Sequence, residues 1–330
     1  MTIPTFSLPE RASLARLPTP IEKLGRLSKR LGVDLYVKRD DLTGLVETGN
    51  KVRKLEFLVA EALREGADTL ITCGTLQSNC ARAVAAVSAK LGLKAILALK
   101  GEPASPPDGN LFLSRLLGAE IHYCSDQEFA RIDAVLLRLT EEVRARGGKP
   151  YVIPESGATE MGALGYLVAA QELAQQVRNG APAFDSVVIT DFSGGSQAGL
   201  LMGKELFGLS AEVIGVPVAF SSQEVHERIR KTMTLAVERF GLPVELPKRV
   251  HLLDGFQGMG RSSSRPEELA MIREVAREEG LLLDPTYTAK AFLGLVSRLR
   301  EDPKQFGQRV CFFHTGGVFS LFAFRSQLVP

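Results

Sequence analysis

The sequence predicts an α/β protein with two open, mainly parallel twisted sheets and helices on both faces. Three segments in the first half carry this prediction. Residues 67–73 form an apolar run of strand length, residues 79–91 have helical periodicity, and residues 94–99 form a second apolar run. They make a β-α-β unit, whose two strands are expected to be parallel. The same alternation continues towards the C-terminus, which is the pattern of open parallel sheets.

The remaining elements fall into two sets. In the first set, a proline-rich linker at 101–109 leads to a short helix. A strand at 120–124, a helix at about 127–146 and a strand at 151–154 follow. With the two strands of the β-α-β unit these make four strands, which could form a compact domain of about a hundred residues.

A long predicted helix at 160–178 precedes the second set, whose strands are 186–190, 212–216 and 310–313. Ligands of open parallel sheets bind outside the carboxyl ends of the strands. Candidate functional residues are therefore sought where these strands end.

Composition and charge exclude several classes of protein. The formal net charge of +2 provides no electrostatic case for binding nucleic acid or an anionic membrane. No apolar run approaches membrane-spanning length, and the N-terminus lacks the basic region and apolar core of a signal peptide. The four cysteines form no C-x-x-C pair, which indicates a reducing compartment, and the scattered histidines provide no metal site. We therefore expect a cytoplasmic protein.

The segment at residues 48–55, TGNKVRKL, contains the first candidate for chemistry. A helical pattern begins here, with Asn50 as a plausible N-cap and Lys51 in the first turn. The positive end of the helix dipole disfavours a charged amine, and a nucleophilic amine must be neutral. On its position alone, an ordinary solvated lysine is the simpler interpretation.

The segment at residues 193–199, SGGSQAG, directly follows a predicted strand and begins a helix. Its glycines allow close approach of the backbone, the N–H groups of the first turn can bind phosphate, and Ser196 can act as N-cap. The spacing matches neither common nucleotide-binding glycine motif. The alternative is an ordinary tight turn between strand and helix.

Three further stretches lie at predicted strand ends or helix starts. Residues 74–79 could hold a carboxylate at a helix N-terminus, although simple capping by Ser78 or Asn79 explains the same residues. Thr315, in a glycine-rich turn after the last strand, could contact a ring nitrogen. Tyr287, at a helix start, could direct its phenol into a cleft or serve in packing.

An attachment lysine, a phosphate loop, a carboxylate pocket and a partner for a ring nitrogen are what pyridoxal phosphate and an amino acid require together. The chain resembles the D-cysteine desulfhydrase and 1-aminocyclopropane-1-carboxylate deaminase family of tryptophan-synthase-β-like enzymes over nearly its whole length. The matching segments are residues 17–20, 38–41, 49–51, 53–56, 77–79, 162–166, 193–199, 282–285, 287 and 314–317.

The resemblance implies fold type II, pyridoxal 5'-phosphate as cofactor and a set of cofactor contacts. Lys51 would attach the cofactor and then move the Cα proton as a free amine. Asn79 would contact the ring oxygen and Thr315 the pyridine nitrogen. The phosphate would be held by Gly194, Gly195 and Ser196, with help from Lys54.

The resemblance also implies how a small amino-acid substrate is bound. Ser78 would be a substrate contact or an acid/base group, and Tyr287 would lie on the substrate side. The substrate-binding set comprises Gln77, Ser78, Asn79, Met259 and Tyr287. A small domain over 46–159 would be inserted into a large one formed by 1–45 and 160–330, and the protein would be a homodimer.

Three departures from the family pattern bear on the substrate. Cys80 stands where a histidine is usual, Met259 replaces a tyrosine, and Thr288 replaces the glutamate of the ring-opening deaminases. A threonine and a methionine cannot supply the acid/base groups that ring opening needs. D-cysteine elimination to pyruvate, sulfide and ammonia is therefore expected. Ring-opening deamination, cysteate sulfo-lyase, dehydratase, racemase or β-replacement chemistry, and a cofactor-binding homologue with little activity, are the alternatives.

Overall fold

The computed structural model describes residues 6–258 and 264–329 and contains two sheets. The strands are β1 (Ile21–Lys23), β2 (Asp34–Lys38), β3 (Thr69–Thr75), β4 (Lys94–Lys100), β5 (Glu120–Cys124), β6 (Pro150–Ile153), β7 (Ser186–Asp191), β8 (Glu212–Pro217), β9 (His251–Leu252) and β10 (Arg309–Phe313). The helices are α1 (Gly25–Leu31), α2 (Asn50–Arg64), α3 (Asn79–Leu91), α4 (Gly109–Leu116), α5 (Asp126–Phe129), α6 (Ile132–Ala145), α7 (Glu160–Arg178), α8 (Gly195–Phe207), α9 (Ser222–Phe240), α10 (Pro266–Glu279), α11 (Thr288–Glu301) and α12 (Arg325–Leu328). Three 3₁₀ segments are Asp40–Leu42, Glu155–Gly157 and Val318–Phe324.

The larger sheet has the order β1-β2-β10-β7-β8-β9, and the smaller one has the order β5-β4-β3-β6. Only the edge pair β1–β2 is antiparallel. The other pairs in both sheets are parallel. The predicted fold class is therefore confirmed, and each predicted strand is present within two residues of its expected ends.

The predicted helix at about 127–146 is wrong in one respect, because the structure forms two helices, α5 and α6, over this stretch. Ser125 and Glu128 form a capping box that starts α5. Arg131, with φ −119° and ψ 40°, separates it from α6. The short edge strands β1 and β9 were not predicted, since they have only three and two residues and no clear alternation.

A buried ionic cluster attaches α2 to the larger sheet and to α7. The Arg53 guanidinium binds both oxygens of Asp40 at 2.7 and 2.8 Å and Glu172 at 3.0 Å. Lys38 also pairs with Glu172, and the Tyr166 hydroxyl donates to Asp40 at 2.8 Å. Burial opposes the ionisation of Glu172, but Arg53 and Lys38 outweigh it and lower the pKa of its carboxyl to about 2. Each charge of this cluster thus has a partner, which is the condition for keeping charges inside a protein.

The four strands of the smaller sheet all fall between residues 69 and 153. This arrangement supports our proposal that 46–159 is a small domain inserted into a large one. In the described ranges, no helix is both long enough and apolar enough to cross a membrane. All four cysteines are buried free thiols.

Candidate active site

A cleft lies where strands of both sheets end. It receives residues from the starts of α2, α3, α8 and α11 and from the turn after β10. Five of the predicted site residues line it, namely Lys51, Asn79, Ser196, Tyr287 and Thr315. Six further lining residues were not predicted as site residues, namely Asn50, Thr190, Asp191, Phe192, Ser193 and Gly316.

Close backbone contact sets the position of the first turn of α2. Asn50 is the first residue of the helix and Gly49 occupies the cap position, so the prediction of Asn50 as N-cap is wrong. The Asn50 N–H donates to the Thr315 carbonyl at 2.9 Å. Gly49 has φ +100°, and a Cβ there would lie 2.8 Å from that carbonyl oxygen. A glycine is required at this position because both the dihedral angle and the contact exclude a side chain.

Lys51 and Lys54 lie one turn apart on α2 and face the same region. In residues 6–258 and 264–329, neither amine has a hydrogen-bond partner or a carboxylate within salt-bridge distance. Burial lowers the pKa of Lys51, and burial together with the charge of Lys51 lowers the pKa of Lys54 to about 7. Desolvation disfavours an ammonium, so the neutral amine that a nucleophile needs is accessible here.

The start of α8 presents backbone N–H groups beside these lysines. Gly194 is the N-cap residue, with φ +82°, and Gly195 is the first residue of the helix. Ser196 is therefore inside the helix, and its predicted capping role is wrong. A Cβ on Gly195 would lie 3.1 Å from Lys54 Nζ, which places the lysine amine at the N–H groups of the first turn. Free N–H groups and an adjacent amine are a suitable set of donors for phosphate.

Asp191 ends β7 and was not predicted from the sequence. Its Oδ1 accepts the Gly194 N–H at 2.8 Å, whereas its buried Oδ2 has no hydrogen-bond partner in the described part of the chain. Burial raises the pKa of this carboxyl to about 7, against the lowering effects of the Gly194 N–H and of the two lysines. Its position at a strand end was the signal that could have identified it.

Residues 77–79 divide between the cleft and a neighbouring groove. Ser78 is the N-cap of α3, and its hydroxyl oxygen accepts the Ala81 N–H at 3.2 Å, so the capping interpretation is confirmed. Ser78 and Gln77 are not among the residues that line the cleft. Gln77 lines a groove that it shares with Lys100 and Thr286.

Tyr287 is held at the start of α11 by a buried carboxylate. Asp284 Oδ2 accepts the Thr286 and Tyr287 N–H groups, both at 3.0 Å. The Tyr287 ring packs edge-on against Phe192, with centroids 5.9 Å apart. Phe192 was not predicted and gives the cleft an apolar wall.

Thr288 lies next to Tyr287 but is turned away from the cleft. Its hydroxyl donates to Asp284 Oδ1 at 2.8 Å and accepts the Asp284 N–H at 2.7 Å, and the residue is completely buried. Cys80 is also buried, and burial raises the pKa of its thiol, which favours a packing role over that of a thiol acting near the substrate. Met259 lies outside the described residues.

This arrangement defines a class of protein: an α/β enzyme with a desolvated amine, an anion-binding helix start and side-chain donors around one cleft. A family model described as "Pyridoxal-phosphate dependent enzyme" matches residues 12–316, so the chain belongs to that family.

Two relatives in different organisms indicate the group within this family. The chain is 43% identical to a Thermotoga maritima protein named "Putative 1-aminocyclopropane-1-carboxylate deaminase", over 97% of this chain and 100% of that protein. It is 40% identical to a D-cysteine desulfhydrase of Klebsiella pneumoniae, over 96% of this chain and 97% of the relative.

A solved structure agrees with this grouping. The crystal structure of an ACC deaminase homologue superposes with a TM-score of 0.88 at 37% identity, covering 97% of this chain and 95% of the other. A fungal L-serine ammonia-lyase from Rhizomucor miehei, at 16% identity and a TM-score of 0.66, shows the shared fold alone. The protein is thus a pyridoxal-phosphate-dependent lyase of the ACC deaminase and D-cysteine desulfhydrase group.

Proposed function

We propose that this lyase removes the β-substituent of a small amino acid, and that D-cysteine is its substrate, giving pyruvate, sulfide and ammonia. The observation that carries the proposal is the half-buried amine of Lys51 together with the buried amine of Lys54, beside the start of α8. Such a pair fits an anionic cofactor that one amine attaches and the other neutralises.

The residues on the α8 side fit the phosphate. The N–H groups at Gly195 and Ser196 and the amine of Lys54 would bind it, because all three are donors and a side chain on Gly195 would fill the space between them. Lys51 Nζ would attach the aldehyde, and Thr315 would bind the ring nitrogen. When bound, the cofactor supplies an electron sink for negative charge at the substrate Cα.

The other side of the cleft would hold the substrate. Once Lys51 Nζ is no longer attached to the cofactor, this amine would take the Cα proton of the substrate. The lowered pKa of Lys51 provides the neutral form that proton transfer needs. Tyr287 Oη would orient the amino acid, and its contact with Phe192 would limit the space for the β-substituent. By resemblance, Ser78 and Gln77, neither of which lines the cleft in this structure, would contact the substrate carboxylate from the α3 side.

Thr288 supports elimination over ring opening. Ring opening needs acid/base groups next to the substrate. Asp284 engages the Thr288 hydroxyl as both donor and acceptor, so this side chain offers no group for proton transfer in the cleft. Ring-opening deamination is the second candidate, because the 43% identical relative has that name.

Product analysis tests the proposal. Purified protein with pyridoxal phosphate is incubated with D-cysteine, L-cysteine or 1-aminocyclopropane-1-carboxylate, and sulfide, pyruvate, 2-oxobutanoate and ammonia are quantified. We expect sulfide and pyruvate in equal amounts from D-cysteine. Lys51→Ala should lose turnover by at least about a thousandfold, whereas Lys29→Ala on the surface of α1 should not change it. Release of 2-oxobutanoate from the cyclopropane substrate alone would establish the second candidate.

We also propose that the protein is a homodimer. Sedimentation equilibrium should give twice the chain mass of 35.8 kDa. A single species with the mass of one chain would exclude this.

A further inference from the structure

Asn79 is connected to a buried arginine through a second asparagine. Asn110, the second residue of α4, donates its amide NH₂ to Asn79 Oδ1 at 2.9 Å and to the Gln77 carbonyl at 2.9 Å. Its own Oδ1 accepts from Arg82 Nε at 3.2 Å. Arg82 and Asn110 are 0% and 1% exposed, so water does not replace these bonds.

The chemistry of the partners determines the orientation of each amide. Arginine has no acceptor, so the Asn110 atom that faces Arg82 must be oxygen. A backbone carbonyl cannot donate, so the Asn110 atom that faces Gln77 must be nitrogen. The Asn79 atom that faces this nitrogen must then be an acceptor, which is Oδ1. The orientation therefore follows from the network and does not depend on distinguishing oxygen from nitrogen directly.

The result is that the Asn79 NH₂ group remains for the cleft, which Asn79 lines. The described part of the chain contains no acceptor bonded to this group. Arg82 is itself fixed, because its guanidinium donates to the Val46 carbonyl and, at 3.0 Å, to the Thr48 carbonyl. These carbonyls lie just before α2, so the network also connects α3 and α4 to the segment that precedes Lys51.

We propose that Asn110 is a positioning residue that holds the Asn79 amide with its NH₂ group towards the cleft, where it donates to the ring oxygen of the cofactor. This inference rests on the proposed function for the presence of that oxygen. The site thereby favours a cofactor whose ring has an acceptor oxygen. It also favours the deprotonated form of this oxygen, because that form is the better acceptor for the Asn79 NH₂ group.

Asn110→Asp provides a near-isosteric test. A carboxylate still accepts from Arg82 but cannot donate to Asn79 or to the Gln77 carbonyl. The Asn79 amide then turns its NH₂ group to the carboxylate and its oxygen to the cleft. We expect the dissociation constant of pyridoxal phosphate, measured by visible absorption titration, to rise by about 10- to 100-fold. The pH midpoint of the bound cofactor's visible band should rise by about one unit, because a donor to the ring oxygen is lost.

An analogue of pyridoxal phosphate that lacks only the ring hydroxyl distinguishes positioning from general damage. Asn110→Asp should bind this analogue within about twofold of wild type, since the lost hydrogen bond has no partner in it. Ser114→Ala is the matched control. Ser114 is buried one turn later on α4 and its hydroxyl donates to the Asn110 carbonyl, so this variant should bind both compounds like wild type.

Each outcome has a distinct meaning. Wild type that binds no pyridoxal phosphate would overturn the proposed function. If wild type binds pyridoxal phosphate and Asn110→Asp has the same affinity and pH midpoint, the positioning role alone is overturned. An equal loss of affinity for both compounds in Asn110→Asp would also overturn it. If Asn110→Asp does not fold, Asn110→Ser replaces it, because its short hydroxyl cannot reach Asn79. A loss of about 3- to 10-fold for pyridoxal phosphate only is then expected.

Discussion

Asp191 and Lys54 bring opposite charges into a part of the protein from which water is largely excluded. Burial shifts both pKa values to about 7, upwards for the acid and downwards for the amine. Each group is therefore less stable in its charged form than it would be in the unfolded chain. An anion at the start of α8 would favour the charged form of Lys54 and the protonated, neutral form of Asp191. In these forms the lysine attracts a phosphate and the acid does not repel it.

These two shifts predict the pH dependence of stability for protein prepared without cofactor. Between pH 3.8 and about 7 the folded state holds the Asp191 proton more tightly than the unfolded state, so the contribution of Asp191 to stability falls as pH rises. Asp191→Asn should equal wild type near pH 4 and be more stable by about 1–3 kcal/mol near pH 8. Urea unfolding at each pH provides the measurement.

Lys54 acts in the other direction and over another pH range. Its pKa is about 7 when folded and 10.5 in a free side chain, so its contribution to stability rises with pH between these values. Lys54→Met should therefore be more stable than wild type below pH 7 and converge with it near pH 10. The exposed Asp126→Asn serves as control. If the difference in unfolding free energy between Asp191→Asn and wild type does not vary from pH 4 to 8, the raised pKa of Asp191 is contradicted.

At the scale of elements, the starts of α2 and α8 and the turn after β10 define the cleft by direct backbone contact. Gly49 and Gly316 touch so closely that a Cβ on Gly316 would lie 2.7 Å from Gly49 Cα. The buried cluster of Arg53, Asp40 and Glu172 holds the same helix from the other side. The position of Lys51 is thus set by elements far from it in sequence.

Gly49→Ala tests the close approach of Gly49 to the Thr315 carbonyl. Its matched control is Gly32→Ala, because Gly32, at the end of α1, also has a positive φ, of +71°, but a Cβ there would meet no atom within 4 Å. Gly32→Ala should cost about 1 kcal/mol of unfolding free energy from backbone strain alone. Gly49→Ala should cost at least about 2 kcal/mol and weaken cofactor binding about tenfold, since α2 must move away from the Thr315 carbonyl. Equal effects of the two substitutions on both quantities would refute the contact.

At the scale of the whole molecule, the cleft joins the two sheets. Asn79 follows a strand of the smaller sheet and Lys51 lies on the helix that precedes this strand in the chain, whereas Ser196 and Thr315 follow strands of the larger sheet. A ligand that contacts all four stabilises the folded chain by binding only the arrangement in which they meet.

Removal of pyridoxal phosphate should therefore lower the urea midpoint, and the stabilisation should grow with cofactor concentration, reaching about 2.7 kcal/mol at a hundredfold excess over the dissociation constant. Pyridoxal without phosphate should stabilise less, because the contacts of Lys54 and the start of α8 are then absent. Unfolding curves that superpose with and without the cofactor would contradict this expectation.

Local sequence patterns were sufficient to predict the features that depend on interactions between residues close in sequence. Apolar runs alternating with helical periodicity predicted the parallel sheets, and the positions of Lys51 and of the glycine loop before α8 followed from strand-to-helix succession. The same reasoning singled out Asn79, Tyr287 and Thr315, the resemblance to a known family assigned each of them a role, and all three line the cleft. None of these required knowledge of which distant segments touch.

The tertiary structure decided what depends on contacts between distant segments. Glycine replaces the expected cap at the start of α2 because the Thr315 carbonyl, far along the chain, binds the Asn50 N–H. Among the residues that the structure describes, Asp191 keeps an unbonded oxygen, Thr288 turns inwards to Asp284, and the Asn79 amide is oriented by Asn110 and Arg82. Hydrogen-bond partners and burial determine each of these features, and neither is a property of the local sequence.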